Sequence, residues 1–237
     1  ATGTEIRDMK ERVTLKREDQ KKTLADQAYK QIEEAIVTLQ LAPGSIVSET
    51  ELVELIGIGR TPTREAIQRL ARDRLIRVLP KRGLLVAPLD LMGQMKLLEV
   101  RRQVEGLIIR LATKRASDEH RRAFAQLDAE FREIAFANDG LGFVRCDRGF
   151  NELCITAAQN EYAEDAMRPL MGLSRRFWLF HHQQCGTDLP PLALLHADTA
   201  AAMAIGDEEG GQRVFEELLE NVESSARISL AMNFSAT

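Results

Sequence analysis

Gly57-Ile58-Gly59-Arg60-Thr61-Pro62-Thr63-Arg64-Glu65-Ala66-Ile67 is the stretch on which the reading of this chain turns. Gly57 and Gly59 permit a sharp turn, because glycine reaches positive φ without steric cost. Thr61 is expected to cap a new helix with Pro62 at its first position, where a missing amide hydrogen costs nothing. Ala66, Ile67, Leu70 and Leu75 then face a small core, and Arg64, Arg72 and Arg74 are left outward. Upstream, Ser48-Glu49-Thr50-Glu51 is a capping-box start for a helix reaching about Ile56. Downstream, Leu75–Leu79 and Leu84–Ala87 read as short strands around the basic turn Pro80-Lys81-Arg82-Gly83. From Ser48 to Val86 the order is helix, turn, basic helix, two-stranded ribbon: a winged helix-turn-helix.

A charged, solvated helix followed by a hairpin would give part of this pattern. The local charge argues for more. Residues 60–82 hold eight Lys/Arg against two Asp/Glu, in a chain of net charge −4. A patch of that density is what phosphate binding by counterion release requires, so double-stranded DNA is the expected partner. The expected contact set is Arg60, Thr61, Thr63 and Arg64 on the helix, with Lys81, Arg82 and Gly83 on the wing.

The same residues carry a resemblance. Leu24-Ala25-Asp26-Gln27-Ala28-Tyr29 through Leu41-Ala42-Pro43-Gly44, Glu51-Leu52, Arg60-Thr61-Pro62-Thr63-Arg64-Glu65-Ala66 and Pro80-Lys81-Arg82-Gly83 resemble the DNA-binding domain of the GntR superfamily of bacterial transcription regulators, over about residues 22–88. Gly59 stands where that family usually has serine.

The other residues bound what the chain can be. Its 237 residues allow one large or two moderate domains, and its composition, 44% hydrophobic and 29% charged, is ordinary for a folded protein. No run approaches the ~20 apolar residues that span a bilayer. Residues 5–22 carry twelve charges and resemble no signal peptide, so residues 1–22 are expected to be a flexible charged segment. Cys146, Cys154 and Cys185 form no C-x-x-C pair, which suits reduced thiols and a cytoplasmic location. Residues 1–90 carry 16 basic and 14 acidic side chains, and 91–237 carry 16 and 22, so the second part is expected to avoid DNA and serve another partner. From Leu91 on, the periodicity is helical, with about six helices and no strand signal. The expected architecture is therefore mainly α: a winged helix-turn-helix over residues 23–88, then an all-α helical bundle over 91–232.

That bundle resembles the FCD effector domain of the FadR-like branch of the same superfamily, through Glu99-Val100-Arg101-Arg102 with Glu105, Asp147-Arg148-Gly149-Phe150-Asn151, Asn160, and His196 with Ala204-Ile205-Gly206-Asp207. The resemblance implies a homodimer formed through the bundle, a small-molecule effector, and in many members a divalent metal held by one aspartate and three histidines. Asp147 and His196 match that set; Asn151 and Leu218 stand where histidines are expected. Asparagine is a poor zinc ligand and leucine is none, so no tightly bound cofactor is expected, with a divalent metal at Asp147 and His196 as the alternative. Arg101, Asp147, Asn151 and His196 are the candidate effector-binding residues; Arg101 can pair with a carboxylate ligand or with Glu105 one turn on. The implied function is a DNA-binding regulator, a repressor, controlled by an organic acid. Two rivals stay open: a DNA-binding dimer whose bundle senses nothing, and a helical metal-dependent enzyme using Asp147 and His196. The sequence has no nucleotide-binding loop, nucleophile elbow or H-E-x-x-H.

Overall fold

The computed structural model describes residues 23–186 and 188–234. The expectation for residues 1–22 lies outside the described residues. Helix α1 (Leu24–Val37) opens with a capping box between Thr23 and Asp26. The helix goes no further because the chain turns left-handed at Leu39 (φ 64°). Helix α2 (Glu49–Ile56) carries the expected box between Ser48 and Glu51 and ends at Gly57 with φ 65°, a conformation that suits glycine.

Helix α3 (Arg60–Arg72) starts earlier than the sequence suggested. Gly59 is its N-cap, at φ −59°, so positive φ is not why glycine stands there. Thr61 is therefore not the cap, and Pro62 sits third in the helix, still among the amides that have no partner within the first turn.

The wing pairs β2 (Ile76–Leu79) with β3 (Gly83–Val86), antiparallel, from Ile76↔Val86 to Leu79↔Gly83. A third strand, β1 (Ile46–Val47), joins the far edge of β3, so the sheet order is β1-β3-β2. Two residues have no periodicity to read, which is why β1 was not foreseen. Its presence explains Gly83: φ there is 103°, and a Cβ would lie 2.9 Å from Val47 O.

Six helices follow among the described residues: α4 (Leu91–Arg115), α5 (Asp118–Ala137), α6 (Gly140–Ala158), α7 (Glu161–Cys185), α8 (Leu189–Ile205) and α9 (Glu208–Phe234). Gly140 and Gly142 belong to α6 itself. They lie in its first turn, where Asp139 caps Gly142 N. Pro190 and Pro191 likewise sit in the first turn of α8, where their missing amides are not needed.

Phe124, Phe131, Phe150 and Phe215 are fully buried and anchor the bundle core. A second core, centred on Ile32, Ile36, Leu52, Leu70 and Val86, holds the N-terminal part together. The two interlock: Val37 of α1 belongs to the bundle core, and Leu173 of α7 packs on the N-terminal one. Arg176 is buried beside the connecting segment, donating to Ala87 O at 2.8 Å and Pro88 O at 3.4 Å, and burial pulls its pKa down to about 10.

Candidate nucleic-acid interface and buried charged centre

Arg60, Thr61 and Arg64 lie exposed along the first turns of α3, and Lys81 and Arg82 are exposed at the tip of the wing. The first turn of α3 contains no acidic residue, and no side chain caps it. Its free amides, the positive end of the helix dipole and Arg60 together make a surface that favours phosphate.

Arg64 is held side-on by Glu49 at the start of α2, its Nε and Nη2 donating to the carboxylate at 3.1 and 2.8 Å. This contact, absent from the sequence reading, leaves Nη1 pointing away from the pair. Thr63 is a correction. It is fully buried, its hydroxyl donating to Gly59 O at 2.9 Å and Ile58 O at 3.2 Å, so it pins the turn and is not on the exposed face of the helix. Arg69 is also engaged inside the fold, paired with Asp26 and lying over the Tyr29 ring at 4.6 Å.

In the bundle, Asp147 and Asn151 of α6, His196 of α8 and Arg101 of α4 are all buried. His196 Nδ1 lies 2.9 Å from Leu192 O and Nε2 lies 3.2 Å from Asp147 Oδ1. A carbonyl can only accept, so Nδ1 carries a proton, and Nε2 faces the carboxylate. Three rings cage the imidazole: Phe131 and Phe143 at 5.1 Å and Phe150 at 6.0 Å. Burial pushes the Asp147 carboxyl up. The hydrogen bond and charge of His196, then the charges of Arg175 and Arg101, outweigh it and hold the group below its ordinary value.

Asn151 does not aim at this centre: its Nδ2 donates to Asp147 O at 2.8 Å along its own helix. Arg101 pairs two-pronged with Glu105 at 2.7 and 2.9 Å and also donates to Ser174 Oγ. Burial works against its charge, and Glu105 more than restores it. Trp178 packs against Phe143 at 4.5 Å and stacks on His182. Cys146 and Cys154 are buried free thiols.

Residues 24–86 match the gntR family of bacterial regulatory proteins, and residues 96–221, more than half of the chain, match the FCD domain. The chain belongs to the gntR family, in its FCD-bearing form. The HTH-type transcriptional repressor RspR of Escherichia coli K12 is 26% identical over 206 residues, covering 85% of this chain and 88% of that one. An HTH-type transcriptional regulator from an unstable DNA locus of Streptomyces ambofaciens is 42% identical over 62 residues, 26% of either chain. Among solved structures, E. coli McbR/YncC superposes with a TM-score of 0.74 at 16% identity, covering 88% of this chain and 99% of that one, which speaks for the fold. This gntR-family protein is a transcription regulator, not an enzyme.

The FCD resemblance raised a metal, and the residues do not fit one. Of the four ligand positions, only Asp147 and His196 approach each other; Asn151 is turned to backbone, and Leu218 lies in the apolar core. Among the described residues no three His, Cys, Asp or Glu converge on a common point. Asp147 instead has His196 Nε2 beside it and lies in the field of Arg175 and Arg101.

The sequence reading also missed Glu33, Arg148 and Arg175, which join the two cores. Glu33 of α1 is buried between Arg175 at 2.8 Å and Arg148 at 3.0 Å. One sign of it was available: Glu33 lies on the apolar stripe of α1 beside Tyr29, Ile32 and Ile36, where an acid must be paired.

Proposed function

We propose that this gntR-family regulator acts as a homodimeric repressor whose operator affinity is controlled by a small organic acid. Residues 23–88 form the DNA reader in this reading, and residues 91–232 the dimerising, ligand-responsive bundle. The observation that carries it is the acid-free first turn of α3, with Arg60 and Arg64 exposed beside the basic wing tip at Lys81 and Arg82. Such a surface reaches only a few base pairs, so two copies on a palindrome would be needed for useful specificity. Arg101, Asp147 and His196, with Asn151 buried one turn from Asp147, supply a buried polar centre on which ligand control can act. The close pairing of Arg101 with Glu105 favours the rival in which the bundle only dimerises.

Selection of bound duplexes from a random pool tests the first part. A two-fold symmetric consensus is expected, with a dimer by light scattering at micromolar concentration. A monomer bound to an asymmetric site would overturn the dimeric reading. Among the described residues, no helix is long and apolar enough to cross a membrane.

The ligand set bears on metal dependence. Dialysis of the purified chain against EDTA is expected to leave its thermal midpoint and operator affinity unchanged, since a two-ligand set holds a transition metal weakly. A drop in the midpoint that zinc or nickel reverses would establish a tightly held metal and refute this.

A further inference from the structure

The contact between the two cores has the chemistry of a ligand site already filled by the protein itself. The two carboxylate oxygens of Glu33 each take one guanidinium, Arg175 Nη2 at 2.8 Å and Arg148 Nη2 at 3.0 Å. Both arginines come from the bundle, and Glu33 comes from α1. Beneath them α7 offers bare backbone at Gly172, where a Cβ would lie 2.9 Å from Glu33 Oε1 and 3.1 Å from Leu75 Cδ1. The three side chains form part of the wall of a cleft of about 1100 Å³ between α1 and α3 on one side and α6 and α7 on the other. A cleft of that size has room for a small molecule.

Two guanidiniums converging on one carboxylate is how proteins recognise organic acids. A carboxylate arriving from the cleft meets the same two donors and competes with Glu33. Glu33 cannot simply be set aside, because a buried carboxylate stripped of its cations is strongly unfavourable. Its relief is for α1 to move off α7. That movement reaches the DNA-facing helix directly, since α1 is bound to α3 through Asp26–Arg69 and through Tyr29 Oη donating to Asp73 at 2.6 Å. The charge of Arg175 also helps hold the Asp147 carboxyl below its ordinary value, so the exchange is felt at the buried centre of the bundle.

We propose that this cleft binds a small organic carboxylate, which takes Arg148 and Arg175 from Glu33 and thereby releases the reader helices from the bundle. The proposal rests on the reading of the chain as a ligand-controlled regulator and places that control between its two halves.

Succinate is the probe, titrated calorimetrically into the full chain without DNA, with the neutral succinamide as control. Removing the internal competitor in Glu33→Gln is expected to tighten succinate binding about tenfold or more relative to the unmodified chain, and Arg175→Gln to lose it. Succinamide should bind to neither. Should Glu33→Gln fold poorly, hydrogen exchange on the unmodified chain carries the test: succinate is expected to speed exchange in α1 and leave α5 unchanged. Equal succinate affinity in the unmodified chain and Glu33→Gln, undiminished binding in Arg175→Gln, or unaltered exchange in α1 would overturn the proposal. A chain that shows the expected succinate pattern but selects no DNA refutes the regulator reading alone. One that selects an operator but shows no succinate pattern refutes the cleft alone.

Discussion

Glu105→Ala is expected to destabilise the folded chain by about 3–5 kcal/mol, the cost of leaving a buried guanidinium without its carboxylate. Arg101 and Glu105 sit one turn apart on α4, both buried, and bind through two parallel hydrogen bonds of 2.7 and 2.9 Å. With Glu105 gone, Arg101 keeps Ser174, a neutral acceptor, and the distant charge of Asp147, which His196 and Arg175 already share. Neither replaces a two-pronged carboxylate. The pair itself is a different quantity from its breakage. Arg101→Met with Glu105→Leu removes both charges at similar volume and is expected to be near neutral or stabilising. Urea unfolding of the two singles and the double gives the coupling energy. A Glu105→Ala chain within about 1 kcal/mol of the unmodified one would show that Arg101 is hydrated or paired elsewhere, and would sink the description of this centre.

What could be read from the sequence, and what could not, follows from how local each cause is. The capping box at Ser48 and the turn at Gly57 depend on residues within one helical turn, and they stand where the sequence put them. The basic helix and wing were legible for the same reason. Gly59 misled because a glycine signals permissiveness without saying what it is used for; here it is an ordinary N-cap. Thr63 misled because two faces of a helix only four residues into its course cannot be told apart until its axis is fixed. The glycines of α6 and the prolines of α8 mark no break, because a first turn lacks internal amide partners and tolerates both. The buried centre was half legible. Arg101 with Glu105 is an i, i+4 pair and was foreseen as one of two outcomes. Glu33 with Arg175 spans 142 positions, and no spacing rule reaches that far.

The double change Arg60→Ala with Arg64→Ala is expected to cost about 2–6 kcal/mol of operator affinity, taking about 1–3 kcal/mol for each arginine that reads a base edge. Both arginines are exposed on the first turns of α3, and nothing acidic in that turn offsets them. Glu49 does not hold Arg64 back from DNA. The pair is exposed to solvent, and such pairs contribute only ~0–1 kcal/mol, less than a two-pronged contact with guanine. What Glu49 does is fix the guanidinium on one edge and leave the other for a base, so Arg64→Ala alone should relax preference at a single position. Arg82→Ala on the wing should behave differently. With no base within reach of a backbone-following turn, it should weaken selected and scrambled duplexes alike and lower the salt slope by about 0.9 for each phosphate no longer neutralised. Fluorescence anisotropy across a salt series separates the two. The interface assigned to α3 and the wing fails if the double-alanine chain keeps its full affinity and its preference for the selected duplex over the scrambled one.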